Sequence, residues 1–210
     1  TERMPSVRSV SIGIWIGTGS RRETQAENGL SHFIEHLLFK GTPTRSAEDI
    51  AKSIDSIGGG LDAFTSKELV SFNTKVLDEH VPIAFDVLAD MVRNPRFDDA
   101  DIRKERQVVL EEIKMESDAP DYLVHELLCR SYYRNQSIGR SILGTPSNIK
   151  SFTRQTVQDY FARVYEPRNL IVTAAGNLRH NQIVDLVSHY FASAKRGPGA
   201  PKEEPPVGYS

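Results

Sequence analysis

The sequence contains little cysteine, no long apolar run and no excess of charge. Its one cysteine, Cys129, excludes a framework of internal disulfide bonds and fits a reducing compartment. No stretch is apolar enough over the roughly 20 residues that a membrane-spanning helix needs. The formal net charge of -2 at pH 7 argues against a general role in binding nucleic acid or membrane surfaces.

Two histidines and a glutamate form an H-x-x-E-H pattern at His32, Glu35 and His36. The surrounding stretch, residues 29–42, predicts a short helix with Asn28 as its N-cap. Helical residues three and four apart share a face, so both imidazoles could bind one metal ion with the carboxylate beside them. The pattern is known as the inverzincin signature. On these residues alone, a surface or core histidine pair is the alternative interpretation.

A catalytic zinc site needs a third protein ligand and an open position. The best candidates lie in a segment predicted to be a helix, residues 98–117, with Asp98 as its N-cap. Glu105 and Glu112 are seven residues apart there and therefore share a helix face. Glu111 is a rival to Glu112. The spacing alone leaves a solvated, charged helix as the alternative, since acidic residues are usually exposed.

Six segments together match a known family. They are G-T-G-S-R at residues 17–21, G-L-S-H-F-I-E-H-L-L-F-K-G-T at 29–42, L-D-A-F-T-S at 61–66, E-R through E-E-I at 105–113, G-R-S-I-L-G-T at 139–145 and A-A-G-N at 174–177. With these segments the sequence resembles the pitrilysin/insulinase-type zinc peptidases. It is most similar to the bacterial processing proteases and the β subunit of the mitochondrial processing peptidase.

The resemblance implies a role for each candidate residue. His32, His36 and Glu112 would bind one zinc ion per chain, and the family's spacing favours Glu112 over its neighbour. Glu35 would be the general base that activates a zinc-bound water. Glu105 would be a second carboxylate that full activity requires.

Residues 61–66 and 69–77 predict a pair of strands around a short turn. The resemblance implies that the first strand is an open edge beside the metal, to which a substrate peptide adds as a further strand. The substrate-binding residues would be Asp62, Ala63, Phe64 and Thr65. The family usually has Asn in place of Asp62, which leaves open how the strand end is held.

The order of the predicted elements is strand, two helices, two strands, a run of helices, strand and helix. This order predicts an α+β fold, with a mostly antiparallel sheet and helices packed on one face. Residues 1–194 are expected to form an N-terminal, zinc-binding catalytic domain. Residues 195–210 are rich in Pro, Gly, Lys and Glu and predict a linker. The resemblance implies that it leads to a second homologous half, so the chain is expected to be an N-terminal half.

The expected function is that of a zinc-dependent endopeptidase acting on extended peptides or presequence-like segments. The isolated chain would be weakly active or inactive, because the family closes a second half or subunit over the substrate. A homodimer and a pairing with a separate subunit both remain open. The resemblance implies the bacterial cytoplasm, with the mitochondrial matrix as the alternative. A non-catalytic assembly or substrate-gripping subunit is the rival hypothesis, and a purely structural zinc is a third.

Overall fold

A five-stranded sheet organises the computed structural model, which describes residues 1–192. The strands are β1 (Glu2–Arg3), β2 (Ser9–Ile16), β3 (Gly60–Thr65), β4 (Val70–Leu77) and β5 (Leu170–Gly176). Their order in the sheet is β1-β5-β2-β4-β3, and β3 therefore forms one edge. The pairing of β1 with β5 is parallel and the other pairings are antiparallel. The predicted linker at residues 195–210 lies outside the described residues.

Helices cover one face of this sheet. They are α1 (Leu30–Leu38), α2 (Ala47–Asp55), α3 (Val81–Arg93), α4 (Asp99–Ser117), α5 (Pro120–Tyr132), α6 (Pro146–Ser151), α7 (Arg154–Val164) and α8 (His180–Phe191). The alternation of β2 explains the layering, because every second side chain points toward the helices and is apolar and buried: Val10, Ile12, Ile14 and Ile16. The predicted α+β class with a mostly antiparallel sheet is confirmed. No helix within residues 1–192 is long and apolar enough to cross a membrane.

The core fixes α1 between the sheet and its neighbouring helices α4 and α7. Every apolar side chain of α1 is buried, and the ring of Phe33 packs 5.7 Å from that of Phe152, centroid to centroid. From α4, Ile102 and Val109 are buried. Replacing a buried Phe by Ala typically costs about 3–5 kcal/mol, so the burial of Phe33 contributes strongly to holding α1 in place.

Candidate metal centre

Three side chains from α1 and α4 bring their donor atoms together. His32 Nε2 lies 3.3 Å from His36 Nε2. Glu112 Oε2 lies 3.6 Å from each of these nitrogens. The four-residue step along α1 stacks the two imidazoles, and the packing of α4 against α1 brings the carboxylate to them. Among the described residues, these three alone form a group of His, Cys, Asp or Glu donors suited to a metal ion.

The donor set fits a zinc ion. Donors at 2.0–2.1 Å from a tetrahedral zinc are separated from one another by about 3.3 Å, close to the distances seen here. Glu112 Oε2 is buried and has no hydrogen-bond partner in the described part of the chain, although it faces both imidazoles. A buried carboxylate oxygen without a donor is costly, and a cation between the three atoms removes that cost.

Glu111, the rival of Glu112, points elsewhere. Its side chain is 63 % exposed and pairs with Lys114 at 2.6 Å. The side chain of Glu112 is 34 % exposed and faces the histidines. The one-residue step rotates a helix by about 100°, which is why neighbouring glutamates lie in such different surroundings.

Glu105 lies beside His36 and contacts its Nδ1. Its Oε2 is 3.2 Å from His36 Nδ1, and its Oε1 is 2.9 Å from Lys40 Nζ. Burial alone would raise the pKa of Glu105, but the hydrogen bonds from His36 and Lys40 hold it below its usual value. Burial lowers the pKa of His36, but the hydrogen bond to Glu105 and nearby carboxylate charges raise it above its usual value. A carboxylate that accepts the Nδ1 proton leaves the Nε2 lone pair free for a metal.

His32 has no such partner within residues 1–192. Its Nδ1 is buried and makes no hydrogen bond to any described residue, and His32 is 7 % exposed. Burial, followed by the charge of His36, lowers the pKa of His32 to about 3. The imidazole is therefore neutral near pH 7, which is the state that binds metal ions.

Glu35 contacts Thr65, the last residue of the edge strand β3. Thr65 Oγ1 donates a hydrogen bond to Glu35 Oε2 at 2.5 Å. Burial raises the pKa of Glu35, whereas Thr65 and the charge of His36 lower it, and the net pKa lies above the usual value. A carboxyl group with a raised pKa is suited to exchanging protons near neutral pH.

The other three residues of the predicted substrate strand have different surroundings. Asp62 acts on Glu35 only through its charge, which raises the pKa of Glu35. Phe64 is 42 % exposed and packs edge-to-face on Trp15 with the ring centroids 6.1 Å apart. Ala63 packs on the core. The edge position of β3 agrees with the expected strand addition, and the substrate role of these residues stays a prediction.

The start of α1 differs from the sequence prediction. Gly29, with φ of 104°, is the N-cap, and Asn28 is not. Asn28 instead donates its side-chain amide to Glu23 and to the Ser141 carbonyl oxygen. Glu23 was missed because it lies in an irregular segment where no periodicity marks a residue as buried. Its carboxylate accepts from the backbone N–H groups at the start of α1.

A family profile described as "Insulinase (Peptidase family M16)" matches residues 1–146. This chain belongs to the M16 peptidase family. A second profile, "Peptidase M16 inactive domain", matches residues 151–210. The expected resemblance to the insulinase-type peptidases is thereby confirmed.

Relatives of the M16 chain are named as zinc proteases. It is 48 % identical over 204 residues to "Uncharacterized zinc protease YmxG" of Bacillus subtilis, covering 97 % of this chain and 50 % of the relative. It is 37 % identical to a probable mitochondrial-processing peptidase subunit beta of Arabidopsis thaliana, covering 94 % of this chain and 37 % of the relative. The name of the Bacillus subtilis protein supports zinc as the cofactor of that relative.

The fold agrees with a solved structure of a protease from Helicobacter pylori. The TM-score is 0.89 at 22 % identity, covering 94 % of this chain and 49 % of that one. At this identity the likeness shows the fold alone. The chain spans about half the length, or less, of the relatives it matches.

Proposed function

We propose that residues 1–194 form the zinc-binding catalytic domain of a metalloendopeptidase. The observation that carries the proposal is the convergence of His32 Nε2, His36 Nε2 and Glu112 Oε2 to within 3.3–3.6 Å of one another. Three N/O donors leave a fourth position open on a tetrahedral ion, as catalytic zinc sites do. One zinc ion per chain would be held by these three residues.

The bound zinc supplies a Lewis acid that polarises a carbonyl group and acidifies water. Glu35 takes a proton from the attacking water and later gives it to the leaving amine. Its raised pKa suits both steps, since the carboxylate must accept the proton and then release it. Thr65 holds Glu35 Oε2 in place.

Glu105 holds the Nδ1 proton of His36, which fixes the ring and directs its Nε2 toward the ion. Lys40 in turn holds Glu105 and balances its charge. The role of Glu105 is therefore one of orientation, as its distance of 3.2 Å from His36 Nδ1 supports.

The substrate would be an extended peptide, or a presequence-like segment, that pairs with the free edge of β3. Within residues 1–192, β3 pairs with β4 alone, so its other edge offers backbone N–H and C=O groups. Asp62, Ala63, Phe64 and Thr65 would contact the peptide. Recognition through backbone groups favours extended conformation over particular side chains.

A second half or subunit would close over this edge, and the chain alone would hydrolyse peptides weakly or not at all. The rival hypothesis is a non-catalytic assembly subunit, which would not need intact metal-binding residues. All three donors, together with Glu35 and Glu105, are present here with suitable geometry, which favours the enzyme.

Zinc content after dialysis tests the ligand set. We expect about one zinc ion per chain for the unchanged protein and far less for Glu112→Gln. The matched control is Glu111→Gln, the next residue along α4, which should keep its zinc because it faces solvent. Equal zinc content in the two variants would contradict the assignment.

Turnover of the full-length protein tests the general base. Glu35→Gln should lower kcat by about 10²- to 10⁴-fold while the zinc content stays the same. A variant that keeps both its zinc and its turnover would show that another group moves the proton.

A further inference from the structure

The first turn of α1 is held by a residue from outside the helix. Gly29 has no side chain with which to cap the helix. Glu23 supplies the acceptors instead: its Oε2 is 2.8 Å from the Gly29 nitrogen and its Oε1 is 2.7 Å from the Ser31 nitrogen. The first N–H groups of a helix have no acceptor within the helix and need such partners, and the helix dipole favours a negative charge there.

This carboxylate is buried in a position where a charge is costly. Glu23 is 2 % exposed, and its carboxylate accepts hydrogen bonds from two backbone N–H groups and from the amide of Asn28 at 3.2 Å. A neutral Ser or Asn cap would satisfy one N–H group without burying a charge. A carboxylate differs because its two acceptor oxygens can bridge two N–H groups at once.

His32 projects from this first turn of α1, whose N–H groups Glu23 binds. Ser31 directly precedes this histidine, whose buried Nδ1 has no hydrogen-bond partner among residues 1–192. No side chain of these residues therefore orients the His32 ring through its second nitrogen, as Glu105 does for His36. The position of the His32 ring depends on its packing and on the backbone of the turn from which it projects.

We propose that Glu23 is a positioning residue of the metal centre: by fixing the first turn of α1, it sets His32 Nε2 opposite His36 and Glu112. The inference rests on the proposed zinc site. Glu23 does not touch the donor atoms and acts through the backbone at Gly29 and Ser31.

The test is the zinc dissociation constant of the full chain, measured with zinc alone by competition with a chelating dye at pH 8. Glu23→Gln keeps the size of the side chain but turns one acceptor into a donor that faces an N–H group. We expect its zinc dissociation constant to rise by about 10- to 100-fold, the range seen when a ligand loses its support. Glu23→Asp keeps both acceptors on a shorter stem and should recover part of the loss.

The matched control is Asp90→Asn, another buried carboxylate with several donors. Asp90 is 7 % exposed and accepts hydrogen bonds from Thr42, Thr44 and Arg45 at 2.7–2.9 Å. Its loss should lower the melting temperature of the metal-free chain. The zinc dissociation constant should stay within about twofold, as expected for sites that do not interact.

Amide hydrogen exchange of the metal-free chain gives a second readout. In Glu23→Gln the Ser31 amide should lose protection, while amides within α7 keep theirs. This measurement reports on the turn itself and needs neither zinc nor turnover.

Four outcomes would overturn the inference. A folded Glu23→Gln chain with unchanged zinc affinity would do so while leaving the zinc site standing. An equal loss in Asp90→Asn would show a general effect of stability. If neither Glu23 variant folds, Glu23 serves the whole fold and has no specific positioning role. If the unchanged chain binds no zinc, the proposed function fails and the inference with it.

Discussion

The two histidines of α1 are held in different ways at the two ends of the helix. At the C-terminal end, His36 is held by a side chain: Glu105 lies 3.2 Å from its Nδ1 and pairs with Lys40. At the N-terminal end, no described residue offers His32 a side-chain partner on Nδ1, and Glu23 holds the turn of His32 through backbone N–H groups.

The electrostatics differ in the same way. Burial raises the pKa of Glu23 to about 7 despite its hydrogen bonds from Ser31 and Gly29. Glu105 is also buried, but its cationic partners bring its pKa below the usual value. The charge of Glu105 is thus compensated by nearby positive charge, whereas the charge of Glu23 is stabilised mainly by the dipoles of N–H groups. Ionising Glu23 therefore costs more free energy than ionising Glu105.

Removing either histidine should erase the contribution of zinc to stability. At free zinc of about 1,000 times the dissociation constant, zinc binding stabilises the folded chain by about 4 kcal/mol. We expect that gain to vanish in His32→Ala and in His36→Ala. Urea unfolding with zinc and with a chelator measures it.

The control for this experiment is His125→Ala on α5, an exposed histidine outside the donor cluster. It should keep the whole zinc-dependent gain. If only one of the two α1 variants kept the zinc-dependent gain in stability, the histidine replaced in that variant would not be needed to bind zinc. His32 and His36 would then differ in metal binding itself as well as in how they are held.

The raised pKa of Glu23 predicts a pH dependence of the metal-free chain. Between pH 4.5 and about 7 the folded chain keeps the Glu23 proton and the unfolded chain releases it. This group therefore lowers the free energy of unfolding as pH rises through that window, by up to about 3 kcal/mol. Glu23→Gln lacks the effect, so the stability of the unchanged chain relative to the variant should fall over this range.

Urea unfolding in chelator at pH 4.5, 6 and 7.5 measures this difference. Comparing the two chains cancels the titration of all groups that they share. A difference that rises with pH would mean that the backbone donors outweigh burial and that Glu23 has a lowered pKa.

Glu105→Gln should weaken zinc binding about tenfold, or about 1.4 kcal/mol. The amide oxygen can still accept the Nδ1 proton of His36, but the charge that pairs with Lys40 is lost. Competition with a chelating dye measures the change. Glu48→Gln is the control, since the side chain of Glu48 is 74 % exposed and pairs with Lys52 on the surface of α2. A larger loss in the control would contradict the orientation by Glu105.

The sequence predicts the C-terminal support better than the N-terminal one. Helical periodicity places His32 and His36 on one face, and the seven-residue step puts Glu105 beside Glu112. Ser46 and Asp49 were likewise predictable as a capping box, because both partners lie within one turn of α2. Such local rules depend only on spacing along the chain.

What could not be predicted depends on tertiary placement. Glu23 follows a short 3-10 helix, Ser20–Arg22, and no spacing rule links such a segment to the start of α1. The predicted cap at Asn28 is wrong because Gly29 takes that position, while tertiary contacts to Glu23 and Ser141 engage the Asn28 amide. Helix α6 is likewise hard to predict from the sequence, since six residues show too little periodicity.

Ser31→Ala should have the smallest effect and separates the two contacts of the first turn. The Ser31 side chain lies 2.8 Å from the hydroxyl of buried Tyr160, whereas its backbone N–H binds Glu23. The substitution removes the first contact and leaves the Tyr160 hydroxyl without its partner, at a cost of about 1 kcal/mol in unfolding free energy. Because the backbone bond to Glu23 stays, zinc affinity should fall far less than in Glu23→Gln. Tyr160→Phe removes the same contact from the other side and should match it. If Ser31→Ala weakened zinc binding as much as Glu23→Gln, the side chain of Ser31, and not the backbone, would hold His32 in place.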